Sequence, residues 1–578
     1  MSDPTTSSYD FVIVGGGTAG SVVASRLSED FNVTVCVLEA GKDNTCFGFR
    51  NLGRPDILWP FTSVPQPFAN DRVVSNLRGK ALGGCSTVNL LTAMRGNAAE
   101  YDAYETLGNN GWNWKNLLPY FQKSETHTVT PEDRAQFGVE LNMAYHGTDG
   151  PIHRTFPKWT SSGLSHYFEA MKSLGYKYNK DPCDGDNSGV WPVQFSIHAT
   201  DAVRTDAASG YLKPAEKRDN LHVLTGTYVT KIILEQHNGL AVAEGVEYIK
   251  DGETFRALAK REVILCAGAY KSPQILEISG IGDSKILKEH GLQCHVNLPG
   301  RFDHFWCSFT AETTAEIETH EVLFDRARAA QEWELYEKTK SGLLATNLGG
   351  SGFTMLPCVS FMDKDKFANL RAEASKLHPE EYEKVANVRK KWLTIGEVPF
   401  LELAFISGFM PTGDQQPEPG KKYVSCFIAI QHPFARGTVH IGSADPSAAP
   451  NIDPRLLDNK VDMGIMVEAI KFVRRIFASG EFKGTTKEII PGVSVSSDEE
   501  LEKFVRDVVQ TVWHPIGTAS MLPREDGGVV DASLKVYGTA NLRVMDASIM
   551  PIHISGHPML TVYAIAEKAA DMIKSSYV

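Results

Sequence analysis

Residues 12–41, VIVGGGTAGSVVASRLSEDFNVTVCVLEAG, decide the fold. The run up to Val14 is continuously apolar, as a strand buried on both faces of a parallel sheet must be. Small and apolar residues at helical spacing follow, and then a second β-branched run. Gly15-Gly16-Gly17-Thr18-Ala19-Gly20 fits G-x-G-x-x-G in that setting. Gly15 permits the tight turn, Gly17 lets backbone approach a pyrophosphate, and Gly20 lets the helix close on the strand. The helix start at Thr18 and Ala19 offers unpaired N–H groups and a partial positive charge to phosphates. Glu39, followed by Ala40, ends the second strand, where an acid accepts hydrogen bonds from a ribose diol. An acid there disfavours a 2′-phosphate, so NADP fits worst, while NAD and FAD both remain open.

The chain has 578 residues, enough to bury a large core without disulfides. Its 58 basic and 70 acidic residues give a formal charge of −12, which argues against nucleic acid or an anionic membrane as the main partner. The cysteines, Cys36, Cys46, Cys85, Cys183, Cys266, Cys294, Cys307, Cys358 and Cys426, stand singly with no Cys-x-x-Cys pair. That pattern predicts free thiols and no metal site. No secretory signal is visible in MSDPTTSSYD, no peroxisomal or retention address in SSYV, and no long uninterrupted apolar run. The segment that comes closest, LTIGEVPFLELAFISGFM, is interrupted by Glu397 and Glu402. No membrane span is expected, and the cytoplasm is the default location. Asn32-Val33-Thr34 matches a glycosylation sequon but falls where a buried strand is expected, so it reads as accidental.

No internal repeat is present. NLHVLTGTYVTKIILE reads as two strands, REVILCAGAYKSPQILEISGIGD as a strand and a helix, and residues 541–578 as strand, loop and long helix. Residues from about 316 to 398 carry Glu, Lys and Arg at helical spacing, most simply a solvated helical face. YVSCFIAIQHPFARGTVHIGSADPSAAPNIDP alternates as antiparallel strands do. The expected fold is α/β. A discontinuous Rossmann-like domain takes residues 1–155, 205–300 and 515–578. A substrate domain takes 156–204 and 301–514, with an antiparallel or mixed sheet flanked by helices.

RGKALGGCSTVNLLTAMRGNAAEYD, residues 78–102, resembles the first signature of the glucose–methanol–choline oxidoreductases, an FAD-dependent family. Gly79, Lys80, Leu82, Gly83, Gly84, Ser86, Val88, Asn89, Ala93, Gly96 and Asp102 match, and Cys85 departs. GAYKSPQILEISGIG, residues 268–282, matches the second signature in full. RTDAASGYL and RGTVHIGSADPSAAPNIDP are also similar to family stretches, so the resemblance covers nearly the whole chain. It implies FAD, with Arg78, Gly83, Gly84, Cys85 and Asn89 along the flavin. It further implies Val229 at the adenine, Gly268 and Asp546 near ribose or pyrophosphate, and Ala547, Pro558 and Met559 in backbone contact. Covalent members attach the flavin through a His at the position of Val88. Valine cannot do so, and a non-covalent FAD is expected. Relatives carry a longer run where this chain has LPGRFDHF, residues 298–305, which alters the expected lid.

WHPIGTASM and ISGHPMLTVYAIAEKAADMI hold His514 and His557 on the family's two catalytic positions. Alcohol oxidation removes a proton and a hydride, and imidazole suits the proton. A second imidazole can hold the substrate oxygen. The N-terminus of the helix after Pro558 suits a developing anion. His304, His432 and His553 read as surface or core residues. The expected function is FAD-dependent oxidation of an alcohol, expected to be primary, with O2 or a quinone-type acceptor. The chain is nearest in look to fungal aryl-alcohol- and formate-oxidase-like members. The formate enzyme has Arg where this chain has His557, which favours an alcohol here. The alternatives are a flavin-containing hydroxynitrile-lyase-like enzyme, a photodecarboxylase, another biosynthetic role and a non-catalytic flavoprotein. Substrate and oligomeric state are not legible.

Overall fold

The computed structural model describes residues 5–43, 54–298, 301–302, 305–346, 352–377, 383–413 and 415–577. Two large sheets organise them. In chain order their strands are β1 (Thr6–Val14), β2 (Val35–Glu39), β3 (Gly189–Pro192), β4 (Leu221–Thr225), β5 (Tyr228–His237), β6 (Leu240–Lys250), β7 (Glu253–Leu265), β8 (Phe305–Thr313), β9 (Gly352–Leu356), β10 (Leu401–Ile406), β11 (Lys422–Ile430), β12 (Thr486–Ile490) and β13 (Leu542–Val544). The helices used below are α1 (Thr18–Leu27), α2 (Cys85–Val88), α3 (Gly163–Ser173), α4 (Gly268–Ile278), α5 (Lys460–Phe477) and α6 (Met559–Ser576).

The first sheet runs β4-β2-β1-β7-β6-β5, with β13 beside the end of β7. β1 pairs in parallel with β2 and β7, and β13 pairs in parallel with β7. Three distant stretches of chain therefore share one sheet. Phe11, Val12, Ile13 and Val14 are all buried, which is why that run had to be apolar at every position. α1 leaves β1 through Gly15 and packs beside α6. Arg26 Nε donates to Glu567 Oε2 at 2.9 Å, and the Tyr211 hydroxyl donates to Glu567 Oε1 at 2.8 Å. Glu567 is fully buried, so this contact specifies how the two helices meet more than it adds stability.

The second sheet, β12-β8-β11-β10-β9-β3, is antiparallel throughout. Its two faces separate by residue parity. On one face Phe405 stacks on Tyr167 of α3 at 4.9 Å, and Phe309 stacks on Phe477 of α5 at 5.2 Å. The opposite face carries Glu402 and Ala404 of β10, with Ala404 in register with Phe427 on β11 and Phe353 on β9. That face looks onto the cavity described below.

Several expectations change. The charged region 316–398 contains the helices Arg326–Thr339, Lys364–Ser375 and Glu383–Ile395, but it also contains β9. All five β9 residues are buried, in a run too short to show a period beside charged helices. The strands expected after β11 do not continue its sheet. Gly437–His440 and Asn451–Asp453 join the two-residue strand Arg301–Phe302 in a separate sheet. Asn32 is not in a strand. It is exposed in the turn before β2, where Asp30 Oδ1 accepts from its amide at 2.9 Å. Residues 393–410 end one helix and form β10. Among the described residues no helix is long and apolar enough to cross a membrane. Cys46 and, within residues 298–305, Pro299, Gly300, Asp303 and His304 lie outside the described residues.

A Cβ on Gly20 would lie 1.9 Å from the Gly15 carbonyl oxygen, so α1 could not close on β1. Gly20→Ala should cost about 1–3 kcal/mol through overpacking. The expected outcome is a lower thermal midpoint for the apoprotein, and an unchanged midpoint would contradict this packing.

Candidate active site

A cavity of about 510 Å³ is walled by both sheets and by the loops between them. One end is backbone. Gly15 adopts φ +98°, and Gly17 caps α1 without any side-chain bond. The first N–H groups of a helix have no intrahelical partner, so this end suits an anion. Gly15, Gly17, Thr18, Ala19, Glu39 and Ala40 all reach the wall. Gly20 does not, because it lies beneath the turn. Glu39 accepts from Gly16 N at 2.9 Å and Gly41 N at 2.7 Å. Burial pushes its carboxyl up to about 7, against the pull of those two N–H groups.

Val229, Gly268, Asp546 and Ala547 line the middle of the cavity. Asp546 is buried and accepts from Gly268 N at 2.9 Å and from Ser272 Oγ at 2.6 Å. It thereby joins the end of β13 to the start of α4. The first-signature segment supplies Arg78, Gly84, Cys85, Val88 and Asn89. A Cβ on Gly84 would lie 2.8 Å from Gly17 Cα, so two chain segments touch here through bare backbone. Gly83 is off the wall. It has φ +86°, and a Cβ there would meet Thr87 Oγ1 at 2.3 Å. Arg204, in the RTDAASGYL stretch, donates to Ser86 O at 2.9 Å, to Asn89 Oδ1 at 2.7 Å and to Asn89 O at 2.7 Å. It fixes the end of α2. Asn89 in turn donates to Met559 Sδ at 3.0 Å.

His514 and His557 stand together at this end, with ring centres 4.6 Å apart. The chain after His514 is held against the chain after β13, Ala519 N donating to Ser548 O and Met521 N to Ile549 O, both at 2.8 Å. Trp513, just before His514, has φ +59°. His557 sits just before Pro558, which caps α6. Its Nε2 is 3.0 Å from Glu402 Oε1, and Gln431 Nε2 donates to Glu402 Oε2 at 2.6 Å. Gln431 Oε1 accepts from Gly556 N at 3.1 Å. The Glu402 side chain is 1% exposed, so the carboxylate meets the amide and the imidazole away from solvent. Bonded this way, His557 donates Nε2–H to the carboxylate and keeps Nδ1 for other contacts. In the sequence Glu402 marks only a break in an apolar run. Its signal would have been strand parity, which needs the sheet register. Leu90, Thr92, Phe427, Val512 and Trp513 complete the wall near the histidines and make that end largely apolar.

His553 and His432 lie in the core behind the pair. His553 Nδ1 donates to Ile554 O at 2.6 Å, and His432 Nε2 is 2.7 Å from Glu100 Oε1. Glu100 also accepts from Ser555 N at 2.7 Å and from Asn97 N at 2.7 Å. It ties the helix Ala98–Thr106, which the first signature runs into, to the His557 loop. Burial pushes Glu100 up to about 8 and holds His432 well below the usual imidazole range, so the pair is neutral.

A dinucleotide fits these walls. There are glycines and helix N–H groups for a pyrophosphate, an acid for a ribose, and no side chain between the turn at Gly17 and the segment at Gly84. GMC oxidoreductase family models match residues 9–297 and 433–566. A dehydrogenase of Armillaria gallica is 34% identical over 604 residues, covering 99% of this chain and 94% of the relative. A glucose oxidase-like protein of Humicola fuscoatra is 35% identical over 592 residues, covering 98% and 96%. Among solved structures, a fungal aryl-alcohol oxidase superposes with TM-score 0.87 at 30% identity, covering 98% and 99%. An Aspergillus oryzae formate oxidase variant superposes with TM-score 0.88 at 27% identity, covering 100% and 99%.

The Glu100 carboxyl has an ordinary value of 4.5 when unfolded and is raised to about 8 when folded. The folded state therefore holds more protons across that window, and stability falls as pH rises through it. Glu100→Gln cannot titrate. The thermal midpoint of the variant, relative to wild type, should climb from pH 5 to pH 8. A difference that stays flat with pH would contradict the assignment.

Proposed function

Because the chain belongs to the GMC oxidoreductase family, we propose that it oxidises an alcohol, primary by preference, to the aldehyde, with His514 and His557 as the acid–base pair. The cofactor is FAD. The observation that carries the reading is the pairing of the two imidazoles, 4.6 Å apart, on a wall shared with Cys85 and Asn89. FAD, when bound, takes up the hydride that leaves the carbinol carbon. Gly15, Gly17, Thr18 and Ala19 would hold its pyrophosphate, with Gly20 and Gly83 supporting the turns. Glu39, Ala40 and Val229 would hold the adenosine. Arg78, Gly84, Cys85, Asn89, Gly268, Asp546, Ala547, Pro558 and Met559 would hold the rest. Val88 has no nucleophilic atom, so the cofactor is held without a covalent bond. Residues 1–155, 205–300 and 515–578 form the cofactor domain in this reading, and 156–204 and 301–514 form the substrate domain.

His514 would take the alcohol proton, and His557 would position the hydroxyl group beside it. Glu402 and Gln431 fix the ring of His557, so that the oxygen meets an imidazole already oriented. The apolar wall of Phe427, Val512 and Trp513 keeps water from competing for the carbinol. An imidazole pair lacks the planar fork with which Arg binds a carboxylate, which favours an alcohol over formate. The likeness to an aryl-alcohol oxidase points the same way.

The test is anaerobic mixing with a panel of primary alcohols. The flavin should bleach, and His514→Ala should slow bleaching by about 10²–10⁴-fold. A His514→Ala variant as fast as wild type would remove His514 from the role of base. Glu402→Gln should slow bleaching less than His514→Ala. An unbleached flavin with cyanide release from mandelonitrile would replace the oxidation reading by a lyase. Re-admitted O2 then separates O2 from a quinone-type acceptor. Acid precipitation should leave the yellow chromophore in the supernatant, and a yellow pellet would overturn the non-covalent assignment.

A further inference from the structure

Residues 58–79 form an irregular hairpin over the cavity. Leu58–Trp59 pairs with Arg78–Gly79, and bridges at Thr62–Ser75 and Gln66–Arg72 continue it. Trp59 and Phe61 face the cavity and stack 5.7 Å apart. The tip is tied to the second domain. Arg72 Nε donates to Arg506 O at 3.2 Å, and Asn70 Nδ2 donates to Asp507 Oδ1 at 2.7 Å.

The base of the hairpin is held differently. Lys271, on α4, sends its ammonium into a box of aromatic rings. Nζ lies 5.0 Å from the centre of Trp59, 5.6 Å from Phe61 and 5.1 Å from Tyr228. It donates to the Tyr228 hydroxyl at 2.9 Å, and that hydroxyl donates to Pro446 O. Lys271 is 8% exposed and makes no ion pair among the described residues. A second ammonium, Lys80, lies 4.3 Å from the Trp59 ring centre. Burial draws Lys271 down to about 8, and Lys80 adds to that. A lysine placed only to pack its stem would turn its charge to water. Here the charge is buried and the ring faces supply its negative potential.

We propose that Lys271 is the latch that keeps residues 58–79 closed over the adenosine half of the cavity, and that this latch sets how fast FAD escapes. The proposal rests on the reading that Glu39 and Val229 receive the adenosine. It joins the second signature segment to the covering hairpin beside Tyr270, whose hydroxyl donates to Asn76 Oδ1 at 2.7 Å and whose ring meets Phe61 edge-on at 5.8 Å. Each ring it touches belongs either to the hairpin or to the strand that carries Val229.

The test is FAD release from the holoprotein, followed as the rise of flavin fluorescence after dilution. Lys271→Met and Trp59→Leu should each release FAD about tenfold faster, the size expected when a desolvated cation–π contact is lost. Lys271→Arg, which keeps a cation over the rings, should stay near wild type. The double variant should be no faster than the faster single, because both remove one shared contact. Lys271→Met releasing FAD at the wild-type rate would overturn the latch. So would a double variant whose rate equals the product of the two single effects. Apoprotein loaded with FMN, which has no adenosine, separates the latch from the reading beneath it. FMN release should be unchanged by Lys271→Met, and an equal acceleration would mean general loosening and no latch. Wild-type protein that holds FMN as long as FAD would overturn the adenosine placement and the latch with it. Equal unfolding midpoints of the wild-type and Lys271→Met apoproteins show that the fold is intact, and Lys271→Gln repeats the comparison with a polar side chain.

Discussion

Three backbone segments meet where no side chain fits. A Cβ on Gly15 would lie 2.5 Å from the Cys266 carbonyl oxygen, and one on Gly84 would lie 2.8 Å from Gly17 Cα. The turn after β1, the end of β7 and the first-signature segment are brought to contact distance by this lack of side chains. That contact is what lets helix N–H groups, the segment of Cys85 and Asn89, and the start of α4 share one cavity. A methyl group at any of these positions would have to move main chain, which packed interiors resist.

The second sheet contributes through parity. One face of the sheet is committed to α3 and α5, with Phe405 of β10 on α3, so the alternate residues of β10 must look at the cavity. Glu402 is the polar residue among them, and it meets His557, which arrives from the far end of the chain. Gln431 accepts from Gly556 and donates to Glu402. The histidine loop is thus held by Glu402 from the second sheet and by Glu100 from the helix Ala98–Thr106. This gives the two imidazoles little freedom to move relative to the cavity wall.

Much of this was legible in the sequence, for identifiable reasons. The glycine turn, Glu39 and the flanking strands are local, and apolar runs and turn residues announce them. The two histidines were legible through their surrounding motifs. Glu402 was not, because its role depends on which face of a strand it occupies after pairing. β9 was hidden because five buried residues show no period beside charged helices. Asn32 was misplaced by three residues, since β2 begins at Val35 and a sequence does not mark that boundary. Arg204 and Lys271 lay inside recognised stretches, yet what each touches comes from segments far off in the chain. Gly83 looked like a wall residue because its neighbour is one, whereas its φ of +86° serves the turn.

The contact between Arg26 and Glu567 spans 541 residues of chain. β1 has β2 close at hand on one edge, but waits similarly for β7 on the other. A ribosome releasing this chain therefore exposes β1 and α1 long before their partners emerge, at rates of about 5–20 residues per second. Until Glu567 has left the exit tunnel, the helix that follows the glycine turn has no α6 to rest against, and His557 is not in place. The N-terminal turn thus gains its support from α6 only after some 541 further residues have been made. The N-terminal strands are therefore exposed for tens of seconds before those distant partners arrive.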